Sequence, residues 1–332
     1  MGVFHRLASL HLPHALERRA RDTTSSRQGV VLMYHEVLPD EIDLPVWTVV
    51  ARSNFQRQMR YLRRHYDVIS MSEAIERVYS NTYAPASNRP FAVVTFDDGY
   101  LGNLSCAMPI LQLLELPFTV FVATGKVAAG GLHWYDKVIL HLLSQRHCVA
   151  VFETSLGQIV YQPVRLGAAR RWQRINAVLD QLKSLPESER EELVDHLPAR
   201  RERSPLRMLS PAELGRLAKS PYSDIGCHTH GHELLDQIPR DTARESIISS
   251  RHFISDCIGR RPAHFSYPNG NFNPSVQALV QELGFASAVT TEDRHWTDAD
   301  DRYAIPRIAV GRFDSMSLFR AKLAGVLPRP AS

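Results

Sequence analysis

Cysteine is scarce. Cys106, Cys148, Cys227 and Cys257 lie far apart with no CxxC spacing, which excludes a zinc ribbon and a disulfide-dense secreted scaffold and suits a reducing compartment. Long apolar runs are missing too, since none reaches the roughly 18 residues needed to cross a bilayer. The opening stretch MGVFHRLASLHLPHALERRARD is broken by His5, Arg6, His11, Pro13 and His14, and it lacks the continuous apolar centre of a signal peptide. Residues 1–28 therefore read as a basic segment without stable structure, with Phe4, Leu7, Leu10 and Leu12 leaving peripheral membrane contact open. The expectation is a cytoplasmic chain. Nor is there a block of like charge: 39 Lys and Arg against 35 Asp and Glu leave +4, and without a basic stripe bearing aromatic platforms nothing points to nucleic acid. Internal repeats and low-complexity segments are also absent.

What is present is globular. Hydrophobic residues make up 44% and charged residues 22% of the chain, a balance that excludes disordered, collagen-like and heptad-dominated proteins. Its 332 residues exceed one ordinary domain but suit an α/β barrel of roughly 250 residues carrying an insertion.

Apolar runs that stop at polar residues recur along the chain: GVVLMYH (29–35), YDVIS, FAVVTF (91–96), FTVFVAT (118–124), SDIGCH, AHFSY, FASAV and AIPRIAV. Helical patterns alternate with them, as in Phe55, Met59 and Leu62 on one face with Ser53 as the candidate N-cap. Strands alternating with helices imply parallel pairing, and seven or eight such units imply a closed or distorted barrel. The rhythm breaks between 130 and 205, where three helical stretches mark an inserted helical subdomain. It resumes at Ser210-Pro211-Ala212-Glu213, a capped helix start. The expected organisation is thus a first barrel part (29–129), the insertion (130–205), a second barrel part (206–327) and a tail (328–332).

In such a barrel the reactive residues sit at the C-terminal ends of strands. Three of those ends are unusual: Thr95-Phe96-Asp97-Asp98-Gly99-Tyr100, His228-Thr229-His230-Gly231-His232 and Tyr267-Pro268-Asn269-Gly270. Adjacent carboxylates repel, so a pair at the end of a buried run either caps the next helix or is compensated by a cation. The HxxxH spacing carries no weight alone, because 15 histidines in 332 residues give about 0.7 such pairs by chance; its place after a strand is the informative feature. If the chain coils after His228 at a turn permitted by Gly231, His228 and His232 come to one side, with His230 in a solvent-facing or outer role. Asp98 with two imidazoles then leaves an open coordination position, as at a catalytic rather than a structural metal.

The segments TFDDGY, HTHGH and FSYPNG, with the opening LMYHEV and the late IPRIAV, resemble in order and context the polysaccharide deacetylase family, the NodB-homology group of carbohydrate esterases. They are similar to its branch with a Tyr-Pro-x-Gly motif. The resemblance runs from about Gly29 to Leu327, the insertion excepted. It implies a distorted (β/α) barrel, a metal held by Asp98, His228 and His232, Asp97 as general base, and a backbone N–H of Tyr267 facing the oxyanion. It also implies a divalent ion, zinc by its donor set with cobalt or nickel as alternatives, and an N-acetylated glycan as substrate. Two departures stand out. The C-terminal Leu-x-His motif that supplies a general acid is absent, which leaves His35 or His295, with His35 preferred. The arginine expected before the proline of the third motif is replaced by Ser266, which leaves Arg307 to pair with Asp97. Trp134 and Tyr135 are candidates for stacking on sugar rings. An O-acetyl esterase, a small-molecule amidohydrolase and a non-catalytic glycan-binding barrel remain open on the same residues.

Overall fold

In the computed structural model, residues 28–326 are described except 81, 86, 88, 146–147, 164–166 and 198–203; the expectations for residues 1–27 and 328–332 lie outside them. The chain opens with strand β1 (Gly29–Tyr34), every residue of which is buried. The short β2 (Glu36–Leu38) and β3 (Val49–Ala51) pair in parallel. Helix α1 (Arg52–His65) buries Phe55, Met59 and Leu62 as the periodicity requires. Ser53 is not its cap, however. Ala51 holds that position, and the Ser53 N–H donates to Asp40 Oδ1 at 3.1 Å. β4 (Asp67–Val68) and α2 (Met71–Tyr79) follow, the latter capped by Ser70, whose hydroxyl accepts from the Glu73 N–H. Then come β5 (Phe91–Phe96), α3 (Met108–Leu113), β6 (Phe118–Val122) and α4 (Thr124–Ala129).

The interrupted stretch contains α5 (Trp134–Ser144), β7 (Ala150–Thr154), β8 (Gly157–Tyr161), α6 (Ala168–Lys183) and α7 (Glu187–Asp195). It is not wholly helical, since β7 and β8 form an antiparallel hairpin. Ala150, Phe152, Ile159 and Tyr161 are buried in it while their neighbours Val151 and Val160 are exposed. That alternation of period two was the overlooked strand signal.

The barrel resumes with α8 (Pro211–Leu217), whose Ser210–Glu213 capping box is fully formed. β9 (Ser223–Cys227), α9 (Arg240–Ile258), β10 (His264–Ser266), α10 (Pro274–Glu282), β11 (Ser287–Val289), β12 (Ile308–Ala309) and α11 (Met316–Leu323) complete it. All pairs in the main sheet are parallel, in the order β11-β10-β9-β6-β5-β1-β12, with β4 also on β5. The segment entering β12 bridges β11 at Val289↔Ile305, so one stretch of chain joins the two ends of the curled sheet into a distorted barrel.

Strands buried on both faces explain the near-continuous apolar runs. The insertion has its own core, where Val138, Leu142, Phe152, Ile175 and Leu182 pack with Leu44, Val46 and Val49. Each such side chain contributes roughly 1.5–3 kcal/mol by leaving water. The insertion therefore stands on the β2–β3 segment as a wall beside the barrel rim. No helix among the described residues is long and apolar enough to cross a membrane.

Candidate active site

The C-terminal ends of β1, β5, β9 and β10 deliver His35, Asp97–Asp98, His228 and the turn after Ser266 to one rim. Sharp reversals are needed to bring these side chains together. Among the described residues, non-glycine φ angles are left-handed at Asp98 (75°), Thr229 (62°), His232 (64°) and Asn269 (56°), and elsewhere only at Glu115 (54°). Such strain costs on the order of 1–3 kcal/mol per residue and concentrates at functional sites. The turn after His228 is thus made by Thr229, whose hydroxyl accepts from the His232 N–H at 3.0 Å, and not by Gly231. What Gly231 supplies is room, for a Cβ there would stand 2.6 Å from Glu233 Oε1.

Asp98, His228 and His232 meet with their ligand atoms all within 4.8 Å of one another. Asp98 Oδ1 is 3.5 Å from His228 Nε2 and 3.4 Å from His232 Nε2. Two ligands on one tetrahedral ion at bond lengths of about 2.1 Å stand roughly 3.4 Å apart, so the spacing fits a metal. Three further observations agree. Oδ1 of Asp98 is buried without a hydrogen-bond partner; the Nδ1–H of His228 donates to Ser266 O at 2.7 Å, which fixes the tautomer that leaves Nε2 as the ligand atom; and the donor set is one of oxygen and imidazole. Burial raises the Asp98 carboxyl, but the imidazoles of His228 and His232 outweigh it and hold the group well below the usual range. Burial lowers His228, and Asp97 followed by Asp98 outweighs that effect and raises it.

Asp97 lies beside this cluster in a different environment. Arg307, fully buried, grips it with both prongs: Nη1 to Oδ1 at 2.7 Å and Nη2 to Oδ2 at 2.6 Å. The same guanidinium donates to Ser266 Oγ at 3.0 Å, Thr95 Oγ1 at 3.2 Å and Thr290 O at 2.8 Å. Arg307 arrives from the segment before β12 and meets Ser266 at the end of β10. Burial pushes the Asp97 carboxyl up, and Arg307 with His228 reverses the shift, so it stays ionised.

His35 lines the same cleft, its carbonyl held by the Asn103 amide at 2.7 Å and its Nδ1 buried without a partner. Burial lowers its pKa against the opposing pull of Asp98 and Asp97. His295 is elsewhere. Its Nε2–H donates to Lys322 O at 3.2 Å, and the ring is largely buried rather than in a solvent-facing loop. His230 bonds Thr124 through Nδ1 at 3.0 Å, outside the cluster.

Tyr267 is a correction. Its N–H donates to Val289 O at 3.2 Å as part of the β10–β11 ladder, so it is not available to an oxyanion. Its ring is buried in the barrel core, stacked on Phe272, and its hydroxyl donates to Tyr303 O at 3.0 Å. Asn269, two residues on, is the member of that motif that lines the cleft.

The cleft has a volume of about 260 Å³ and runs between the rim and the inserted wall. Tyr135 and Trp134 both line it, but Tyr135 is committed: its hydroxyl donates to Asp98 Oδ2 at 2.8 Å. Burial, with Asp98 next, pushes that hydroxyl well up, so it remains a donor. His133 stacks on Tyr135 at 4.9 Å and meets His232 edge-on at 5.0 Å. Asp136, fully buried, accepts from the Tyr100 hydroxyl at 2.8 Å, and burial pushes it up to about 8. Sequence reasoning missed His133 and Asp136; the only available signal was polar residues opening an otherwise apolar helix.

The family model for polysaccharide deacetylases matches residues 85–288. No curated protein matches the sequence. Among solved structures, the chain is similar to the Streptococcus pyogenes deacetylase PplD in complex with acetate (16% identity, 89% of this chain and 98% of that one, TM-score 0.58). It is similar to IcaB from Ammonifex degensii (18% identity, 90% and 96%, TM-score 0.54) and to a de-N-acetylase from Aggregatibacter actinomycetemcomitans (14% identity, 89% and 100%, TM-score 0.55). At these identities the likeness is one of fold.

Proposed function

We propose, from the premise that the chain belongs to the polysaccharide deacetylase family, that it removes N-acetyl groups from amino sugars of a polysaccharide, oligosaccharide or lipid-linked glycan by metal-dependent hydrolysis. One observation carries the reading: two adjacent carboxylates on one cleft are held in opposite ways, Asp97 in the fork of Arg307 and Asp98 with a bare buried oxygen facing two imidazole nitrogens. That division matches the two tasks of the reaction. Asp98, His228 and His232 would hold a divalent ion, with zinc favoured by the donors. When bound, such an ion polarises the acetyl carbonyl and acidifies water.

The chain's own residues do the remainder. Asp97, ionised and fixed by Arg307, accepts a proton from the attacking water, whose oxygen bonds to the acetyl carbon. His228 keeps its ligand nitrogen directed at Asp98 through its bond to Ser266 O. The C–N bond then breaks, and the departing amine needs a proton. His35, on the same cleft with an unengaged Nδ1, is assigned its delivery. Trp47 meets the His35 ring edge-on at 5.8 Å and bounds its side of the cleft.

Mass spectrometry of N-acetylated oligosaccharides before and after incubation with zinc-loaded protein tests the reading. Loss of acetyl groups that requires metal is expected. Acetate release from O-acetylated but not N-acetylated sugars would move the protein to ester hydrolysis, and no release from either would reject hydrolysis.

A further inference from the structure

The inserted wall carries a cation that hydrolysis of a neutral acetamide does not use. Arg190, in α7, lines the cleft although only 7% of it is exposed. Its guanidinium lies over the Trp134 ring at 4.9 Å, and its Nε is buried with no hydrogen-bond partner. Among the described residues no carboxylate reaches it within ion-pair distance, and Glu187 and Glu191 act on it only at longer range. Arg307, buried behind Asp97, has a carboxylate in its fork.

Arg190 thus has its Nε withdrawn from water without a partner, the indole covers one face of the guanidinium, and no counter-ion among the described residues compensates the charge. Its planar fork is matched to a carboxylate or phosphate. A second cation stands nearby on the same wall. Lys183, the last residue of α6, lines the cleft and donates to Asn269 Oδ1 at 2.7 Å across it. Asp180 also borders the wall, but it is exposed and accepts from its helical neighbour Asn176 at 2.8 Å. Trp134 and Trp172 supply apolar faces beside the two cations.

We propose that Arg190 and Lys183 form a subsite for an oxyanion of the substrate, so that the glycan acted on is acidic, bearing a carboxylate or a phosphate. The identity of the occupant as substrate rests on the hydrolytic reading above; the anion site itself does not. Full-length, zinc-loaded Asp97→Asn protein is titrated calorimetrically with a neutral N-acetylated oligosaccharide and with matched oligosaccharides carrying a uronate or a phosphate monoester. The charged ligands are expected to bind about tenfold or more tightly than the neutral one, with a preference that shrinks as salt rises. Arg190→Met should abolish the preference, Lys183→Met should reduce it, and Arg190→Lys should retain part of it. The uronate and phosphate arms tell which oxyanion fits. Equal binding of neutral and charged ligands, or a preference that survives in an Arg190→Met/Lys183→Met double variant, would overturn the proposal. If Arg190→Met does not fold, as judged by thermal unfolding, Arg190→Lys and Lys183→Met make the same comparison. Because binding is read rather than turnover, a protein that binds acidic glycans without deacetylating them would reject the hydrolytic reading and leave the subsite standing.

Discussion

The barrel rim and the inserted wall face each other across one cleft, and their charged groups are held by different means. On the rim, Asp97 is bonded at both oxygens by Arg307, which is itself bonded to Ser266, Thr95 and Thr290. On the wall, among the described residues, Arg190 has an aromatic face and no carboxylate within ion-pair distance, and Lys183 bonds only an amide oxygen. A network satisfied from within is rigid before any ligand arrives, as the role of base proposed for Asp97 requires. A cation left without an internal partner gains one only from what enters the cleft. Tyr135 is the exception on the wall, reaching over to bond Asp98, and so couples the insertion to the Asp98, His228 and His232 cluster.

The sharpest way to break this division is to exchange the roles of the two aspartates. Asp97→Asn should keep the metal, by elemental analysis, and lose about a thousandfold or more in kcat, because an amide accepts no proton. Asp98→Asn should instead lose metal and activity together. Metal loss in Asp97→Asn, or full metal content in Asp98→Asn, would dissolve the distinction.

A smaller and more selective effect is expected at His35. His35→Ala should retain fold and metal while losing kcat on acetamides by about a hundredfold more than on activated aryl acetates, whose leaving group needs no proton. Equal losses on both substrates would move the proton elsewhere.

Across the cleft, Tyr135→Phe removes one hydrogen bond to Asp98, a proposed metal ligand. Zinc affinity, read by chelator competition, should fall about tenfold. An unchanged affinity would show the wall to be indifferent to the metal.

The last effect is on stability and not on catalysis, and concerns Asp136 in the wall helix α5. Its pKa of about 8 means that the folded protein binds this proton more tightly than the unfolded chain. The associated stability is therefore complete below the ordinary carboxylate range near pH 4 and declines as pH rises to about 8, by up to about 1.4 kcal/mol per pH unit. Asp136→Asn should flatten that decline in urea unfolding measured across the window. Glu36, also raised to about 8 by burial, should retain its own share.

Much of this was legible in the chain. Apolar runs ending in polar residues announced parallel strands and a rim, because a strand buried on both faces leaves only its end for chemistry. Asp97, Asp98, His228 and His232 stood out because carboxylates and imidazoles at such ends are poorly explained by packing. Other readings failed for local reasons. Tyr267 borders the right motif, but a β10–β11 bond takes its N–H. Ser53 has the right side chain for a cap, but the helix begins one residue earlier. The β7–β8 hairpin was hidden because a five-residue alternation is short beside the helices that flank it.

The sequence by itself determined the barrel and the strand ends at which the aspartate and histidine motifs stand, since hydrophobic period and strand-end polarity are local properties that survive without coordinates. Only the tertiary structure decided which charge meets which. Arg307 reaches Asp97 across 210 positions of chain, Tyr135 reaches Asp98 from inside the insertion, and Arg190 reaches no carboxylate at all among the described residues. Pairings of that kind depend on how the sheet closes and where the inserted core rests, and no local spacing encodes them.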